Sequence, residues 1–225
     1  TNFDSFKVWG NYIYLDTEER RRFAQKGHDY LIEQVHHTGA NSLAAAGSTK
    51  QIRLSYNHPV TELVWCATEA SGVTGDANQL WNFTDTAITV SSLMSADVDS
   101  NVSVSPGAAG APVLIGDLQF DEETSGPLSS FKLVLNGQDR FKEQGGKYFN
   151  SVQPFVHHSA SPMPGVYSSS FAPKPEEHQP TGTCNFSRRD NAQVSIATKS
   201  GSDTTPLNMF ATNYNVLRLQ SGMGG

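Results

Sequence analysis

The feature that most restricts this chain is a two-residue hydrophobic period. In "KQIRLSYN", Ile52, Leu54 and Tyr56 fall on one face and Gln51, Arg53 and Ser55 on the other. Side chains alternate across a strand, so this is the pattern of a strand buried on one face only. The period recurs in "DYLIEQVHH" and at the centre of "KVWGNYIYL", where Val8, Gly10, Tyr12 and Tyr14 share a side. "TELVWCAT", "APVLIGDLQF", "SSFKLVLNG", "YFNSVQPFVHH", "GVYSSSFA", "QVSIATK" and "NMFATNYNVLRLQ" are further strand candidates. About eight or nine such strands in one domain predict an all-β antiparallel sandwich or barrel. The 225 residues suffice for one large β domain or two small ones.

One segment breaks the period. Asp16 precedes Glu19 at a capping-box spacing, and good helix formers follow as far as Gly27. This predicts a short helix from about Thr17 to Lys26. The basic run Arg20-Arg21-Arg22 follows Glu18 and Glu19, which makes it a solvated helix face before a phosphate contact. Net charge is −6, so wrapping of nucleic acid is not expected. No stretch is long and apolar enough to span a membrane, and the first residues lack a signal-peptide pattern. Thr1 in place of Met, and the ending "GMGG", point to a fragment or a processed product.

Between residues 69 and 112 the chain is polar and weakly hydrophobic, with room for one extra strand at "TAITVSS". A loop this long in a compact domain is functional or an exposed elaboration. Three sequons occur, at Asn82, Asn101 and Asn185. Asn82 and Asn101 are the candidate glycan acceptors, whereas Asn185 sits beside Cys184 and Phe186 and is expected to be packed.

Catalytic and metal chemistry find little support. No G-x-S-x-G and no protease-type cysteine motif is present. His36-His37 and His157-His158 are adjacent pairs, which on a regular strand point to opposite faces. His178 and Cys184, with Pro180 and Gly182 between, do not have a zinc spacing. Two cysteines are no disulfide framework, and Cys66 in "ELVWCATE" reads as a buried thiol. No cofactor is implied.

The densest stretch is "FAPKPEEHQPTGTCNFSRRD", residues 171–190. Pro173, Pro175 and Pro180 fix φ and push their predecessors toward extended forms. Gly182 is free to take a positive φ in a sharp turn. Glu176, Glu177 and His178 lie between the stiff points, and such groups hydrogen-bond to backbone or to a neighbouring arginine, for example Arg188 or Arg189. The reading is a rigid polar corner entering a strand at Cys184, a structural or interface device built on Glu176, Glu177, His178, Pro180 and Gly182.

These residues also carry a resemblance. "YIYLDTEERRRFAQKGHDYLIEQV", "NHPVTELVW", "NGQDRFKEQGGKYFNSVQPFVHH", "GVYSSSFAPKPEEHQPTGTCNFSR" and "YNVLRLQSGMGG" occur in order along the chain. Together they resemble the major capsid proteins of nucleocytoplasmic large DNA viruses, of the iridovirus and phycodnavirus type. The likeness thins over residues 69–126. It implies a double jelly roll of two eight-stranded sandwiches per subunit. It implies homotrimers of pseudo-hexagonal outline that tile an icosahedral shell over an inner membrane, with neighbouring capsomers and minor capsid proteins as partners. Direct nucleic-acid contact is not part of it, and neither is an enzyme activity. The location implied is the virion capsid, assembled in the host cytoplasm. This chain is too short for both rolls. Residues 1–27 would then hold the last strand of a preceding roll, Lys7 to Leu15, plus a linker helix, and residues 28–225 the second roll.

Two other readings use the same sandwich. A lectin-like carbohydrate-binding module would stack sugars on Trp65 or Trp81, although "LVWCA" places Trp65 in a core. A cupin-like metalloenzyme would need His-x-His with a carboxylate a few residues on, and that spacing does not occur.

Overall fold

The computed structural model describes residues 5–43, 49–67, 83–84, 126–199, 206–220 and 223–224. Apart from Phe83 and Thr84, the 69–112 stretch lies outside the described residues, and with it "TAITVSS", Trp81, Asn82 and Asn101; so does "APVLIGDLQF". Two compact units are present, Thr1–Ile32 with Asn215–Gly225, and Glu33–Tyr214.

In the first unit the helix forms as its sequence predicts. Helix α1 spans Thr17–Gln25, and the Asp16 carboxylate accepts the Glu19 N–H at 2.8 Å. Glu18 and Glu19 sit in the first turn and Arg22 in the last, each with the sign that suits the helix dipole. No residue of α1 is buried, so local capping and charge placement sustain it. Lys7–Leu15, expected as a strand, carries no strand pairing, and Val8, Tyr12 and Tyr14 are all more than 80% exposed. An alternating pattern becomes a strand only beside a neighbour that accepts its ladder. No described residue supplies one.

Two antiparallel sheets account for the described strands. One has the order β1-β11-β4-β8, that is His28–His37, Pro206–Gln220, Pro59–Ala67 and Val166–Ser170. The short strands β2 (Asn41–Ser42) and β12 (Met223–Gly224) pair with β11, and β9 (Cys184–Asn185) pairs with β4. The other has the order β3-β10-β5-β6, that is Thr49–Arg53, Ala192–Thr198, Leu128–Leu135 and Gln138–Asp139. Strand β7 (Gln144–Gly145) pairs with β5. The longer strands cross from one sheet to the other as the chain advances, which is jelly-roll winding.

Burial follows the period-two reading. In β10 every second residue, Ala192, Val194, Ile196 and Thr198, is buried. In β4 the inward set is Val60, Leu63, Trp65 and Ala67, all fully buried. Trp65 faces Met209 across the β4–β11 ladder and Tyr167 across the β4–β8 ladder. The hairpin from β5 to β6 turns on Asn136 and Gly137, at φ 52° and 78°. That is the pairing a two-residue hairpin turn favours.

One strand expectation is corrected. "YFNSVQPFVHH" is helical: a π-helical turn (Tyr148–Val152) runs into α2 (Gln153–His157). Pro154 lacks the N–H that a ladder needs, but it fits the first turn of a helix, where that N–H has no partner anyway. Phe149 and Pro154 are the buried residues of this piece.

Candidate functional site

The predicted polar corner follows β8 and is tied to β4 at both ends. The Thr61 carbonyl accepts both the Phe171 N–H, at 2.8 Å, and the Ala172 N–H, at 3.2 Å. The Thr61 hydroxyl donates to the Thr212 carbonyl at 3.0 Å. Thr61 thus ties the start of the corner to β4 and to β11. The chain comes back at β9, where Cys184 pairs with Val60 and Asn185 with Pro59. Between these points Thr181 closes a loop by reaching back seven positions to Lys174. Its hydroxyl accepts the Lys174 N–H and donates to the Lys174 carbonyl, both at 3.1 Å.

The predicted residues separate into different roles. Glu176 accepts the Ser159 N–H at 3.0 Å. That backbone hydrogen bond, with a smaller contribution from the charge of His158, holds its carboxyl below the ordinary range. Glu177 takes the ammonium of Lys174 at 2.7 Å, and this contact pushes the lysine up. Both carboxylates are solvent-exposed; Glu176 meets backbone, one of the two expected kinds of partner, while Glu177 meets Lys174 in place of Arg188 or Arg189. His178 and Pro180 are exposed, and among the described residues His178 makes no hydrogen bond or ion pair. Gly182 does not take a positive φ. Its role is close approach: a Cβ there would lie 3.1 Å from the Phe171 carbonyl oxygen and 3.3 Å from Pro173 Cδ.

Sequence reasoning missed the clamp beside this corner. α2 ends at His157, with His158 following as its C-cap, and each histidine holds a different part of the fold. His157 Nδ1 lies 3.0 Å from the Pro173 carbonyl, inside the corner. His158 Nε2 lies 2.8 Å from the Glu62 carboxylate, whose other oxygen accepts the Thr212 hydroxyl at 3.3 Å. Glu62 and His158 are both mostly buried, so the contact is shielded from solvent. The signal was present in the paired histidines of "FVHH", because successive residues at a helix end point in different directions. Assigning that segment to a strand concealed it.

Asn185, the packed sequon residue, accepts the Ser187 N–H at 3.0 Å as cap of a 3₁₀ turn (Phe186–Arg188). The Ser187 hydroxyl accepts the His58 N–H at 2.8 Å. Both groups of the triplet are therefore engaged locally. Cys66 and Cys184 are free thiols, and burial pushes Cys66 up. Among the described residues no three His, Cys, Asp or Glu side chains group as a metal site. Among them, too, no helix is long and apolar enough to cross a membrane.

Comparison with known proteins gives a consistent answer. Residues 19–225 match the family described as large eukaryotic DNA virus major capsid protein. The major capsid protein of Phaeocystis pouchetii virus is 39% identical, over 96% of this chain and 51% of its own length. That of Paramecium bursaria Chlorella virus 1 is 39% identical, over 98% of this chain and 53% of its own. The chain spans about half the length of the curated relatives it matches. Among solved structures, PBCV-1 VP54, fitted into a reconstruction of the virophage Sputnik, aligns with a TM-score of 0.72 at 36% identity. That alignment covers 95% of this chain and 55% of VP54. The Faustovirus major capsid protein, 15% identical with a TM-score of 0.54, shares the fold. The winding of the two sheets and the family match over nearly the whole chain agree: this chain belongs to the major capsid proteins of large eukaryotic DNA viruses.

Proposed function

We propose that this chain is one jelly roll of a two-roll capsid subunit that builds trimeric, pseudo-hexagonal capsomers in an icosahedral shell. The observation that carries the reading is one of extent. A two-sheet sandwich with its own core occupies a chain about half as long as its capsid-protein relatives. Residues 28–225 are then the second roll, with the 69–112 stretch as its long loop. Lys7–Leu15 is the last strand of the first roll, and α1 is the link. The exposed alternating side chains of Lys7–Leu15 and the lack of any buried residue in α1 support that assignment.

The partners are other copies of the same subunit, neighbouring capsomers, minor capsid proteins and an inner membrane, with assembly in the host cytoplasm. Nucleic acid is not contacted directly, in keeping with the net charge of −6. The corner at Glu176, Glu177, His178, Pro180 and Gly182 serves structure or an interface. The lectin-like alternative loses its described platform, because Trp65 is fully buried.

Light scattering on the full-length protein tests this reading. The expected mass is three subunits, and a stable monomer at micromolar concentration contradicts it.

A further inference from the structure

Three large apolar side chains that the core does not use lie together on one helical face. Val152, Phe155 and Val156 stand at i, i+3 and i+4 and are 46%, 82% and 62% exposed. Phe149, in the π-helical turn that leads into α2, is 1% exposed in the core, so this helical piece carries both covered and uncovered apolar side chains.

The uncovered face is held rigidly from beneath. Asn150 donates to the Met163 and Val166 carbonyls at 3.0 and 2.7 Å. His157 and His158 fasten the other end to Pro173 and Glu62 at 3.0 and 2.8 Å. A face already fixed in this way loses little conformational freedom when something docks on it.

We infer that Val152, Phe155 and Val156 form a contact between two copies of this protein. The inference rests on the capsid reading and deepens it by naming a surface. Size selects the occupant. Three side chains at these exposures present on the order of 300 Å² of apolar surface. A partner that binds independently needs about 800 Å² on each side. This face is too small for such a partner. It suits one of several modest contacts between subunits that other contacts already hold close, where each adds to the avidity of the whole. Exposed phenylalanine at the centre of a small patch is also the residue type that interface cores favour.

The test compares full-length wild type with the double variant Phe155→Ser/Val156→Ser, and with Phe155→Lys alone. Thermal melting reports the fold, light scattering the capsomer mass, and sedimentation the shell yield. The expected result is a melting temperature close to wild type with self-association, as capsomer or as shell, weakened at least about tenfold. Folded variants that form capsomers and shells like wild type overturn the contact, even if they lose binding to lipid vesicles or to another virion protein. Wild type that forms neither trimers nor shells overturns the capsid reading and this contact with it.

Discussion

Trp65 of β4 stacks on Phe131 of β5 with ring centroids 4.1 Å apart and planes 15° apart, and this pair joins the two sheets. Phe149 and Tyr167 close around Trp65 at 5.4 and 6.0 Å. The aromatic cluster thus gathers both sheets and the helical piece before α2. Among the described residues the indole N–H has no hydrogen-bond partner, so shape and apolar area decide what Trp65 contributes. Trp65→Ala is expected to cost about 3–5 kcal/mol. Trp65→Phe keeps a ring in the stack and is expected to cost clearly less. Urea denaturation of both variants checks the order, and equal losses would contradict it.

Tyr56 is buried, donates its hydroxyl to the Met209 carbonyl at 2.8 Å, and has its pKa pushed up to about 12 by burial. A raised phenol pKa means stability that is complete below the unfolded value near 10 and lost as pH rises through about 12. The loss is about 2–3 kcal/mol. Burial also raises Cys66 and Tyr214, so the decline begins at the thiol's range and continues upward. Tyr56→Phe is expected to cost about 1 kcal/mol at neutral pH. It should also flatten the upper part of the alkaline decline. Denaturation at pH 8, 10 and 11.5, roughly spanning the window, checks both.

The carboxyl of Glu176 is held low by the Ser159 N–H. A lowered carboxylate keeps its contact above the unfolded value and loses it as pH falls through the folded one. The protection of the Ser159 amide, taken relative to its intrinsic exchange rate at each pH, is therefore expected to hold at neutral pH and to fall only in acid. Glu176→Ala should lower that protection at both, with little change in the global melt. An amide equally protected in the variant would remove the contact.

Gly165 has φ +87°, and a Cβ there would collide with the Phe83 carbonyl oxygen. Gly165→Ala is expected to cost at least about 2 kcal/mol, from left-handed strain plus the clash. Gly182→Ala, where the nearest atom is 3.1 Å away and φ is not positive, is expected to cost less. Parallel melting curves decide, and the reverse order would contradict the geometry.

How far the sequence could be read depended on whether a residue's partner was local. β4 and β10 announced themselves, because alternation is set by the strand's own geometry and one buried face. α1 did too, because Asp16 caps Glu19 only three residues away. Lys7–Leu15 alternates equally well and yet carries no ladder, since a strand is a property of two segments. Pro154 argued against a strand at 148–157, and weighing it above the alternation would have found the helix. At the corner, the stiffness imposed by Pro173 and Pro175 was legible. The partner of Glu176 was not, since Ser159 is brought to it by the turn after α2. Glu62 and His158 meet across ninety-six positions, and no local pattern marks such a pair.

Electron cryomicroscopy of assemblies formed by the full-length protein tests the central claim most directly. The account predicts three subunits per capsomer and two sandwiches per subunit, with Trp65 and Phe131 at the centre of one of them. Capsomers with a single sandwich per subunit, or full-length protein that never assembles, would contradict it.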